Sequence, residues 1–134
     1  MSLALSTPSP RAIGFALPLL FAASLLSAAD IRAADASAGQ AVFSSHCAAC
    51  HSTSPGVNKI GPSLAGILGS RSGTVAGYAF SAGMKNANLT WDEATLDRFL
   101  QNPGALVHGT KMFYRVSNPT DRENVIAFLG TLKQ

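Results

Sequence analysis

Two thiols and an imidazole stand together in the stretch Cys47-Ala48-Ala49-Cys50-His51. The order C-x-x-C-H is that of covalent c-type haem attachment. Two thiols three positions apart can each add to one vinyl group of a single porphyrin. The histidine that follows then sits beneath the iron as an axial ligand. Cys47 and Cys50 are therefore candidate thioether carriers, and His51 is the candidate proximal ligand. Three other chemistries use paired cysteines. A thiol–disulfide redox pair normally opens the helix of a βαβ unit, and no strand pattern precedes Cys47. A structural zinc ion takes four ligands, and no second Cys/His pair completes such a set. A plain disulfide in an oxidising compartment suits the cysteines but leaves His51 unexplained.

A haem iron so held needs a donor on its other face. Outside the apolar N-terminal stretch the candidates are Met84, Met112, His46 and His108. His46 directly precedes the attachment and is too close to cross to the opposite face. Met112 lies 61 residues beyond His51, in Gly109-Thr110-Lys111-Met112, on a loop between Pro103 and Pro119 that can fold over that face. Met84 reads as a gap-filling core methionine, and His108 as a solvent-facing loop residue.

Three helices must position these groups. The first is expected over Ser37–Ser45 with Val42 and Phe43 inward. The second follows Thr90-Trp91-Asp92-Glu93, which reads as a capping box with Thr90 accepting the Glu93 amide. Leu96, Phe99 and Leu100 follow at helical spacing, and Asn102-Pro103 ends the run. The third starts at Asn118-Pro119, a favourable N-cap and first-turn pair, and aligns Val125, Leu129 and Leu132 with Ile126 and Phe128 beside them. Between Ser52 and Leu89 seven glycines and no sustained periodicity predict a long loop. A loop of that length in a small domain needs something to hold it, and a large buried cofactor would serve. The fold class expected is all-α: three main helices and long loops wrapped around one covalently bound haem.

Hydrophobic residues make up 47% of the 134-residue chain and charged residues 13%, which excludes a disordered chain. The net charge of +3 is scattered, with no basic stripe for nucleic acid. From Ala12 to Ala29 no charge interrupts an apolar run of 18 residues that Arg11 precedes and small residues follow. That is the plan of a secretory signal peptide, cut after Ala29 or, as favoured here, Ala33. A retained membrane anchor is the alternative, since 18 residues is the lower limit for a span. Residues 1–33 are thus expected to be the signal, and 34–134 a single exported domain of charge +2.

With these pieces in place the chain resembles the class I c-type cytochromes. The resemblance runs from Gly39 to Leu132: Gly39 and Phe43, Cys47-x-x-Cys50-His51, Gly61-Pro62-Ser63-Leu64, Gly73, Gly77-Tyr78, Trp91, Asn102-Pro103, Gly109-Thr110-Lys111-Met112, and Arg122 through Ala127-Phe128-Leu129. It implies His51 and Met112 as axial ligands, a pairing that raises the potential of haem iron. It implies that the Pro62 carbonyl accepts the His51 ring N–H and fixes its tautomer. It implies that Trp91 donates to a haem propionate, that Thr110 assists there, and that the first and last helices cross at Gly39, Phe43 and Phe128. The function implied is one-electron transport in the periplasm by a monomeric carrier and not an enzyme. Its partners would be a membrane cytochrome complex as donor and an oxidase, reductase or reaction centre as acceptor.

Several positions depart from the family pattern. Phe80 and Phe99 replace tyrosines, Met84 an asparagine and His108 a proline. Arg71 comes one place late, so no propionate role is carried to it. Gly104 and Ala105 replace two lysines, leaving Lys59 and Lys111, with Lys85 nearby, as the basic rim. Weak electrostatic steering follows. The departures also leave two rival readings: a labile sixth site serving a gas binder or peroxidase-like catalyst, and His108 as the sixth ligand.

Overall fold

Asp35 starts the first helix by accepting the backbone N–H groups of Ser37 (2.8 Å) and Ala38 (3.3 Å), two of the donors that every helix start leaves unpaired. The computed structural model describes residues 33–134, so all of the expected signal peptide except its last residue, Ala33, lies outside the described residues. Helix α1 spans Ala36–His46 and buries Gly39 and Phe43. Helix α3 spans Glu93–Gln101 and buries Thr95, Leu96, Phe99 and Leu100. Helix α5 spans Pro119–Thr131, capped by Asn118, whose side chain accepts from Thr120 and Asp121. Two short helices, α2 over Ala82–Asn86 and α4 over Pro103–Leu106, complete the set among the described residues. The only extended pairing there is an isolated antiparallel bridge between Arg71 and Thr90.

Two expectations need correction. The cap of α3 is Asp92 and not Thr90: its carboxylate accepts the Thr95 N–H at 2.7 Å. Thr90 is instead drawn into the bridge with Arg71, so the backbone there is extended and helix entry falls two residues later. The long loop also contains α2, whose five residues are too few to show a period. Its start is marked by Ser81, which accepts the Met84 N–H at 3.2 Å. Elsewhere the loop is tied by side chains. Asn58 donates to the Ala76 carbonyl (3.0 Å) and accepts from Ser63 (2.9 Å), and the Ser63 hydroxyl donates to the Ser54 carbonyl (2.7 Å).

The core sits where α1 packs across α5. A Cβ at Gly39 would collide with the Asn124 carbonyl oxygen and come within 2.9 Å of Phe128 Cβ. Glycine is therefore what lets the two helices touch. Phe43 meets Phe128 beside this crossing, with ring centroids 5.5 Å apart, and Val125, Ile126 and Leu129 close the interior. One charge lies within this interior. Arg122, 7% exposed, donates to Asp97 on α3 (2.7 Å) and to the carbonyls of Val116 and Ser117 (3.0 Å each). It ties α5 to α3 and to the end of the Met112 loop.

Candidate functional site

Local hydrogen bonding shapes the attachment sequence. As α1 ends, Cys47 and Ala48 both donate to the Phe43 carbonyl (2.8 and 2.9 Å). Cys50 and His51 then both donate to the Cys47 carbonyl (3.0 and 2.9 Å), coiling the five residues into a tight turn. The two cysteines are partly buried and free, with no disulfide between them. Burial, and then the neighbouring Cys50, push the Cys47 thiol up to about 11. A reactive redox thiol needs the opposite shift, so a thiol–disulfide exchange centre does not suit this environment.

The His51 ring is oriented on two sides. Its Nδ1 lies 2.8 Å from the Pro62 carbonyl oxygen. A carbonyl only accepts, so Nδ1 carries the proton and Nε2 holds the free lone pair that a metal requires. Against the ring lies Gly61, where a Cβ would stand 2.7 Å from Nδ1. The Gly61 N–H in turn donates to the Cys50 carbonyl at 2.8 Å. Burial lowers the His51 pKa, partly opposed by the Pro62 bond, which favours the neutral, ligating imidazole.

Cys47, Cys50, His51, Pro62, Trp91, Thr110 and Met112 all border one cavity of about 450 Å³, within the usual range for cofactor pockets. Its walls are mainly apolar, with Phe43, Leu96, Phe99, Val125 and Leu129 among them. Trp91 is held from both backbone sides, donating to Ser70 and accepting from Gly69 (2.9 Å each). Its ring meets Phe99 edge-on at 5.0 Å. The buried Thr110 hydroxyl oxygen accepts the Met112 N–H at 3.3 Å, which leaves its own proton free to donate. Two thiols, a neutral imidazole and a thioether around an apolar hollow match the donors that covalent haem takes.

Of the four candidate distal donors, Met112, Met84 and His46 border the cavity. His108 does not; it is exposed on the turn before Thr110. Arg71 does border it, despite its late position in the sequence, because the bridge to Thr90 turns that stretch toward the cavity. Phe80 packs edge-on against Tyr78 at 4.7 Å, and the Tyr78 hydroxyl donates to the Ile60 carbonyl at 2.8 Å. Nothing in the spacing of the sequence marks Arg71, Ser81 or Ile60 as wall residues. Arg71 and Ile60 are placed by pairing with distant Thr90 and Tyr78, and Ser81 by the short helix that it caps.

The cytochrome c family profile matches residues 36–133. Cytochrome c of Euglena viridis is 46% identical over 100 residues, covering 74% of this chain and 98% of that protein. Cytochrome c2 of Rhodomicrobium vannielii is 44% identical over 117 residues, covering 86% and 93%. The solved structure of cytochrome cH from Methylobacterium extorquens superposes with a TM-score of 0.67 at 42% identity, over 72% of this chain and 98% of that one. With its C-x-x-C-H turn facing an apolar cavity, the chain belongs to the cytochrome c family: a one-electron carrier and not an enzyme, with one haem c held covalently through Cys47 and Cys50.

Proposed function

We propose that this chain is a soluble periplasmic shuttle in which His51 and Met112 would serve as the two protein ligands of the haem iron. The bound haem supplies an iron that gains and loses one electron. The chain's part is to keep both ligands in place in either state, so that little rearranges on transfer. The observation that carries the reading is the convergence of Cys47, Cys50, His51 and Met112 on one apolar cavity. The Pro62 carbonyl orients His51 and makes it a better donor. Trp91 and Thr110 offer N–H and O–H donors suited to propionate oxygens. The apolar residues around the cavity exclude water and hold the reorganisation of solvent down.

The cavity rim carries Ile60, Phe113 and Tyr114, which are 77%, 84% and 45% exposed. Two lysines near the rim are anchored by backbone carbonyls and keep their charge. Lys59 donates to the Ala48 carbonyl (2.8 Å) and Lys111 to the Ala79 carbonyl (2.6 Å). Electrons would pass to partners through this apolar contact, and the low net charge leaves charge steering weak. Export by the N-terminal apolar segment fits such a carrier, and among the described residues no helix is long and apolar enough to cross a membrane.

The ligand assignment is tested by spectroscopy. The ferric protein should show the weak far-red band of a thioether–iron bond. Met112→Ala should lose that band, and a band that persists in the variant refutes Met112 as the ligand.

A further inference from the structure

Between Met112 and Val116 the chain is almost untethered. Val116 donates to the Leu100 carbonyl at 2.9 Å, and the Met112 N–H is held by Thr110 at 3.3 Å. Phe113, Tyr114 and Arg115 make no hydrogen bond or ion pair with any described residue, and the Phe113 side chain is 84% exposed. The Tyr114 ring has one defined partner. It stacks on His46, the last residue of α1, with centroids 5.8 Å apart and planes 20° from parallel. Both rings line the cavity. The residue just before Cys47 is thereby joined to the residue two past Met112.

We propose that the His46–Tyr114 stack is a strap across the cavity mouth that holds the Met112 segment closed. The two residues are positioning residues, since neither need touch the iron. The inference rests on the reading of Met112 as the distal ligand. Offset stacking at this separation is favourable beyond simple burial. Without it, residues 113–115 lose their one side-chain tie, and Met112 leaves the cavity more often. An outside ligand should then reach the site faster.

The probe is imidazole binding to the ferric, haem-loaded protein, followed by stopped-flow absorbance. Tyr114→Leu and His46→Ala should each raise the binding rate about two- to tenfold, the range set by one aromatic contact. The double variant should be no faster than the faster single one, because both changes break the same contact. Tyr114→Phe keeps the ring and should stay within about twofold of the wild type. Unchanged rates in both single variants, or effects that multiply in the double, overturn the strap while leaving the ligand assignment standing. A wild-type ferric protein without the thioether band overturns the assignment and the strap together.

Discussion

Replacing Arg122 by methionine removes the charge and three hydrogen bonds while keeping most of the buried stem. What each partner then loses can be worked out. Asp97 has a side chain 40% exposed, so water replaces the guanidinium at little cost. The Ser117 carbonyl belongs to an exposed residue and also rehydrates. The Val116 carbonyl has no such recourse, since Val116 is 5% exposed. One stranded acceptor and the lost charged bonds come to about 2–3 kcal/mol. That is below the cost of breaking a fully buried ion pair, because one partner faces solvent. For a domain of this size the melting temperature should fall by roughly 10–20 °C. Urea unfolding of the haem-loaded protein followed by circular dichroism measures the loss directly. Asp97→Asn is the control, and it should cost less than about 1 kcal/mol, as an exposed pair does. If Asp97→Asn destabilises as much as Arg122→Met, the ion pair and not the backbone anchoring carries the effect, and the reasoning fails.

Gly39→Ala sets two effects of opposite sign against each other. Helix propensity would stabilise α1 by about 1 kcal/mol, while overpacking against Asn124 and Phe128 costs about 1–3 kcal/mol, so the melting temperature should drop; a rise would show that the crossing has room. Thr95, through its hydroxyl and its backbone N–H, holds the Asp92 carboxyl below the usual carboxylate range. Stability from the charged cap is therefore present above the ordinary carboxylate pKa of about 4 and is lost as pH falls through the lower folded value. The advantage of wild type over Asp92→Asn, which caps without charge, should shrink on acidification, and a difference that stays flat down to about pH 2 would exclude this linkage. Self-exchange of electrons between copies of the protein, measured by NMR, should change less than about threefold between low and physiological salt, since the rim is apolar and the net charge is low. A steep salt dependence would point to charge-steered docking.

The sequence alone determined the chemistry. Cys47, Cys50 and His51 stand within five residues of the chain, so their meaning is set by covalent spacing, whereas Met112 was one candidate donor among several until the likeness to a family favoured it. The sequence also marked α5, because Asn118-Pro119 opens a helix at short range and the apolar positions recur with it, and it placed α1 to within a residue at each end, while the Asp35 cap emerged only in the structure. Pro62, Trp91 and Thr110 came from the likeness to a family, and no periodicity singled them out. Tertiary structure decided the rest. Thr90 lost the cap of α3 because Arg71, far along the chain, drew it into a bridge. Helix α2 was too short to show a period, and its start depends on one serine. Arg122 is buried against the Val116 and Ser117 carbonyls, and no spacing along the chain marks that burial. Nothing in the sequence pairs His46 with Tyr114, and they meet only because the Met112 loop returns over the end of α1. Short-range hydrogen bonds and periodic burial are written along the chain, whereas contacts between distant segments exist only once the backbone has closed on itself.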